Sequence, residues 1–427
     1  MDEIDAILRA ASGRAEEAEV FFSTSESIGA ELSRDRVRIG QAGHAMGLGI
    51  RVFAQGRVGA SSTNDPGRWE ACLDAALAAM RLADPQPWEG LPMPVALPGT
   101  PLALDPSLSP APATVAGLLA SMQEGAASHP EAVVTAGSAG LSRSHVVVAN
   151  THGLRYEETE THASCSIEAI AGTSTGYEFA SSHALDLDPR WVGEQAAFFA
   201  AFGAGGEPLP SGTHDLVLSP LALASLFEAV LLPALVGRNV HAGRSRLAGR
   251  IGERVADARL SLFDDPHRPM GPGATWFDAE GVPTRRLDLI RDGVLEGFAY
   301  DLRTAYRYGA ASTGSAVRGG YGGAPSIGFH TLVLEGPVSE VMAKPAVYVR
   351  SIVGAHTANP ISGDFSVEVS NPCMVEGGAF VAPVRTAMWG GNVFDLLDAI
   401  EGVSAETRVV GEMVLPALRV SGQHLVG

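Results

Sequence analysis

The sequence predicts an α+β protein of two domains: an N-terminal α/β domain with an antiparallel meander and helices, then a mostly β C-terminal domain with a buried helix. Three observations lead there. The chain has 427 residues, too long for one ordinary domain and comfortable for two. Alternating apolar runs and stretches of helical spacing share the first half, whereas the second half, after one apolar helix, is strand-rich with turn dipeptides such as Asp292-Gly293 and Glu376-Gly377. Between them lies GGEPLPSG (205–212), whose Gly and Pro mark a boundary and divide the chain into 1–207 and 208–427.

Residues 2–12 read as a short helix, and 18–64 as a meander of short strands separated by polar or glycine turns. Within it, GLGIRVFAQGRVGASS pairs two strands across Gln55-Gly56. Strong helix formers at helical spacing place a helix over 68–83. Eight prolines in 84–111 make an extended connection, followed by a helix over 113–127. HVVVAN (145–150) and LRYEETETHASCSIEAIA (154–171) are two strands joined at Thr151-His152-Gly153, and 190–204 is a further helix. Beyond the boundary, THDLVLSP is a strand, and LALASLFEAVLLPALVG (221–237) an apolar helix that Pro233 must kink or end.

Composition excludes several classes. A net charge of −18 with no basic cluster repels a polyanion, so nucleic acid is not an expected partner. Cys72, Cys165 and Cys373 are odd in number and far apart, which argues against a disulfide framework. The acidic start lacks the features of a signal peptide, and no apolar run approaches the ~20 residues a membrane span needs. The expected location is cytoplasmic.

Three C-terminal segments carry a family resemblance: 278–309 (DAEGVPTRRLDLIRDGVLEGFAYDLRTAYRYG), 312–336 (STGSAVRGGYGGAPSIGFHTLVLEG) and 353–380 (VGAHTANPISGDFSVEVSNPCMVEGGAF). Together with the meander and the 149–171 hairpin, they resemble the TldD/PmbA metalloprotease family, formerly called modulators of DNA gyrase. The resemblance implies a heterodimer that proteolyses small or unfolded peptides. In it, TldD-type subunits bind zinc through a His-Glu-x-x-x-His helix, and TldE-type subunits share the fold without that site. The corresponding helix here reads Phe227-Glu228-Ala229-Val230-Leu231-Leu232, and TRVVGEMVLPALRVSG (407–422) offers no Cys ligand. A catalytic zinc needs about three protein ligands and an open position, and Phe and Leu have no lone pair to give. The expectation is a TldE/PmbA-like subunit without a metal or cofactor of its own, forming a chamber and binding peptide. Activity is expected only beside a zinc-bearing TldD-type partner.

Candidate site residues follow. Glu228 is a vestigial base or a carboxylate satisfied by a backbone donor or an Arg; a lone carboxylate without a Lewis acid activates water poorly. Thr313, Gly314, Arg318 and Tyr321 match a segment that lines the chamber in the family, where Arg can clamp a carboxylate and Tyr can donate to an oxyanion. They are equally readable as a glycine-rich turn with an exposed Arg. His356, Asn359, Asp364 and Ser366 sit in an expected loop suited to substrate lining; with no nucleophile elbow there, a triad is not expected. The one G-x-S-x-G match, Gly172–Gly176, precedes no convincing helix. His162 and Cys165 are three apart on a strand and point to opposite faces. A rival reading is a stand-alone homodimer that binds peptides or another ligand without cutting them.

Overall fold

The computed structural model describes residues 3–34 and 36–427. Asp2, placed above in the first helix, and Asp35, within the meander, lie outside the described residues. The first half is one six-stranded antiparallel sheet of β1 (Glu17–Ser33), β2 (Arg36–Ala54), β3 (Arg57–Thr63), β4 (Val133–Asn150), β5 (Arg155–Ala171) and β6 (Ser174–Ser182), in the order β3-β2-β1-β4-β5-β6.

The strands are longer than the sequence pattern suggests. β1 has 17 residues and β2 has 19, where short runs were expected. Where polar or glycine turns were expected, the ladder continues through positions such as Ser25-Glu26 and Gly43: Glu26 faces His44 and Ser27 faces Gly43. β4 starts at Val133, well before the expected His145, and β6 was not expected as a strand at all. The predicted hairpin at Gln55-Gly56 is present, with φ of 54° and 71°, the left-handed pair that a tight two-residue turn requires.

Pleating assigns the two faces. Ala18 and Val20 of β1 point toward α1 (Glu3–Ser12) and α2 (Trp69–Leu82). Farther along the sheet, Leu141 and Cys165 meet α3 (Pro112–Ala126) and α4 (Pro189–Gly203). The two last helices touch so closely that a Cβ on Gly193 would stand 1.8 Å from the carbonyl oxygen of Met122. The alternate residues, among them Glu19, Phe21, Val148 and Glu158, face the second half of the chain.

That second half holds a mixed sheet of thirteen strands. β7 (Gly212–Leu218) sits near its centre, parallel to Ala346–Val349 and antiparallel to Met413–Val426. The apolar helix packs on this sheet as α5 (Pro220–Leu226), continues through a π turn, Phe227–Leu231, and closes at Leu232–Ala234. Pro233 accounts for this shape. It lacks an N–H and its ring pushes the preceding turn open, and the N–H of Leu232 reaches back five residues to Phe227 O.

Two buried ionic clusters join the halves. Arg51 donates to Glu19 at 2.6 and 3.1 Å and to Glu280 at 3.0 Å, while Arg318 pairs with Glu19. Glu178 of β6 accepts from Arg350 at 2.8 Å and from Arg408. Among the described residues, no helix is long and apolar enough to cross a membrane.

Candidate functional site

A cavity of about 790 Å³ opens between the two sheets, within the size range of ligand pockets. Phe21, Val146 and Val148 form apolar wall on the first-sheet side, and Leu232, Phe329 and Met413 on the other. Its polar lining is mostly acidic: Glu158, Glu160, Glu228, Asp278 and Glu412, with Arg238, Arg318 and His330.

Each acid has a structural reason to be there. Glu158 and Glu160 are two apart on β5 and so share one face, opposite Ala163 and Cys165 in the helix-covered core. Glu228 projects from the π turn, exposed, while Phe227, Val230 and Leu231 of the same turn are buried. Glu412 follows Gly411, whose φ of 57° turns the chain into the strand Met413–Val426.

The electrostatics are unusual for surface carboxylates. Burial pushes Glu158 up to about 7, with the neighbouring charge of Glu160 adding to it. Its Oε2 accepts from Thr275 Oγ1 at 2.5 Å, but its Oε1 is buried with no hydrogen-bond partner. Burial also raises Glu160, and burial followed by repulsion from Glu412 raises Glu228. Among the described residues, Glu160, Glu228 and Glu412 make no side-chain hydrogen bond or ion pair. The sequence reading of Glu228 as a carboxylate satisfied by a donor or an Arg is therefore corrected: its nearest charged influence is another carboxylate. Asp278 is held above the usual range by burial and by Glu280, although three backbone N–H groups, of Glu280, Val282 and Ala316, donate to it.

Of the residues singled out from sequence, Glu228 and Arg318 line the cavity. Arg318 is not an exposed clamp. Its guanidinium donates to Ala279 O at 3.0 Å, pairs with Glu19 and lies 4.7 Å over the Phe21 ring. Thr313 and Gly314 stand behind the wall. Thr313 Oγ1 accepts from Tyr300 N at 2.8 Å, and Gly314, at φ 73°, presents its carbonyl to His330 Nε2 at 2.9 Å. Tyr321 packs on β2, its ring where a Cβ of Gly47 would lie, 2.5 Å away.

His356, Asn359, Asp364 and Ser366 are elsewhere and are not among the cavity-lining residues. His356 is exposed on a single 3₁₀ turn, Ala355–Thr357. Asn359 Oδ1 accepts from the N–H groups of Ile361 and Ser362. Asp364 accepts from Ser362 Oγ at 2.6 Å and Asn392 Nδ2 at 2.8 Å. Asp364 and Ser366 belong to a strand, Asp364–Ser370, not to a loop, and face outward. Gly172–Gly176 spans a hairpin and the buried start of β6, so no nucleophile elbow forms. Cys165 and His162 do point apart, and burial raises the Cys165 and Cys373 thiols to about 11 and about 12. Among the described residues, no three or more His, Cys, Asp or Glu side chains are placed to hold one metal ion.

The matches to known proteins span the whole arrangement. Residues 211–427 match the PmbA/TldA metallopeptidase C-terminal domain, 105–201 the central domain and 18–83 domain 1. The chain belongs to the PmbA/TldD metallopeptidase family. An uncharacterised protein of Methanocaldococcus jannaschii is 31% identical over 68% of this chain and 69% of its own length. Metalloprotease PmbA of Escherichia coli O157:H7 is 28% identical over 98% and 95%. The crystal structure of TldE from Thermococcus kodakarensis superposes with a TM-score of 0.93 at 26% identity, covering 100% of both chains. The PmbA/TldD family domain models match residues on both sides of the cavity between the two sheets.

Proposed function

We propose that the chain is a TldE/PmbA-type subunit whose cavity forms part of a peptide chamber, and that it does not cut peptides by itself. A zinc-bearing TldD-type chain completes the assembly. The observation that carries this is the helix at the cavity wall. The resemblance puts histidines at positions 227 and 232, and Phe227 and Leu232 stand there instead, leaving Glu228 alone. Two side chains without lone pairs cannot ligate zinc, so the residues present do not fit that metal. Peptide binding draws support from the cavity's size and mixed apolar and charged lining. The domain boundary at 205–212 and a cytoplasmic location belong to the same reading.

The test is zinc content and peptidase activity of the purified chain, alone and mixed with a TldD-type chain from the same source. We expect no stoichiometric zinc and no cleavage alone, and chelator-sensitive cleavage in the mixture. Zinc or cleavage in the chain alone would overturn the reading, and so would a mixture no more active than the partner by itself.

A further inference from the structure

Resting on the peptide-binding reading, we propose that the cavity selects peptides that carry a positive charge and seats a guanidinium or ammonium group among Glu158, Glu228 and Glu412. The argument starts from what these carboxylates lack. Glu228 and Glu412 are close enough for repulsion between them to be felt, and neither has a protein partner among the described residues. Glu158 leaves one oxygen buried and unpaired. Buried polar atoms are almost always satisfied, and an orphan in a cavity calls for an explanation. A cationic guest supplies a donor to the buried Glu158 oxygen and a counter-charge to Glu228 and Glu412, which are exposed to the cavity.

The shape of the site narrows the chemistry. The acids are spread around a cavity of about 790 Å³ and do not converge on one small ion among the described residues. A planar guanidinium, with five donors in a fork, or an ammonium with three, can reach several separated oxygens at once. The apolar wall of Phe21, Val146, Val148 and Leu232 suits the aliphatic stem of such a side chain. The cations already on the wall do not cancel the acids. Arg318 is consumed by Glu19, and Arg238 is exposed and unpaired among the described residues. The protein's net charge of −18 steers cationic guests toward it at long range.

The experiment uses four versions of one short peptide, with Arg or citrulline at one position and a free or acetylated amino terminus. Affinities are measured by calorimetry with the full chain, alone and reconstituted with its TldD-type partner. Loss of positive charge should weaken binding about tenfold or more, the usual scale of a charge-assisted hydrogen bond. Sensitivity to citrulline would identify the side chain as the guest, and sensitivity to acetylation the amino terminus. In Glu228→Gln/Glu412→Gln the charge preference should collapse while the melting temperature holds. The peptide series needs no variant, so it decides the matter even if the double variant folds poorly. Equal affinity for all four peptides would overturn the charge preference and leave peptide binding standing. No binding to the chain or the pair, together with no cleavage by the pair, would overturn both.

Discussion

Glu158 is the residue where structure and chemistry diverge most from a surface glutamate. Its carboxyl is held at about 7, so near neutral pH it is shared between the acid and the carboxylate. A cation seated beside it favours the carboxylate. Binding an Arg-bearing peptide near pH 7 should therefore release protons, and affinity should tighten as pH rises through that value. Facing the same space are Glu160, Glu228, Asp278, Glu412, Arg238, Arg318 and His330, with His183 acting on Glu158 and Glu160. Those acids that are raised push the trend the same way. Titration in two buffers of different ionisation enthalpy measures the released protons. The difference in heat should shrink in Glu158→Gln; identical heats in the wild type would remove Glu158 from the binding site. Glu158 and Glu160 were not singled out from sequence, although their spacing of two on a strand puts both acids on one face. That spacing could not reveal that the C-terminal half covers that face, because the covering residues, from Glu228 to Met413, are far away along the chain.

At the scale of elements, the helices were the most legible. The spans 69–82, 112–126 and 189–203 lie within a residue or two of those read from spacing. Apolar spacing on one face carries its own evidence, and Pro at the first turn of α3 and α4 sharpens the start. Strand lengths were less legible. In a long, half-exposed ladder, Ser and Gly on the open face look like turns, and only pairing with a neighbour shows otherwise. The same logic explains the glycines between elements. Gly193 sits mid-helix in α4, where its propensity is poor, because α3 passes against its backbone. Gly193→Ala gains helix propensity and loses that contact. With a Cβ 1.8 Å from Met122 O, the helices must separate. We expect a net loss of about 1–3 kcal/mol in urea unfolding. A variant as stable as the wild type would mean that α3 and α4 do not pack this tightly.

At the scale of the whole molecule, charge also joins the two halves, in a place the sequence did not mark. Arg318 drew attention as a substrate clamp, yet its partner Glu19 is on the first strand of the chain, and only the fold brings them together. These buried ion pairs make the junction sensitive to acid. Burial opposes ionisation of Glu19, but Arg318 and Arg51 win and hold it below the usual carboxylate range; Arg350 and Arg408 do the same for Glu178. A carboxyl lowered on folding contributes stability that is present above its unfolded value, about 4.3, and is lost as pH falls through its folded value. Glu280, raised by burial despite Arg51, works in the opposite sense and moderates the effect of the first cluster. The second cluster has no such counterweight among the described residues, so it is the better probe. Glu178→Gln leaves Arg350, itself buried, without its charge partner, and breaking a buried pair this way costs about 3–5 kcal/mol. Thermal melting from neutral pH down to about pH 3 should show the wild type falling toward the variant, the gap closing as Glu178 takes up a proton. A gap that stays constant across that range would mean that Glu178 contributes through packing and not through its charge.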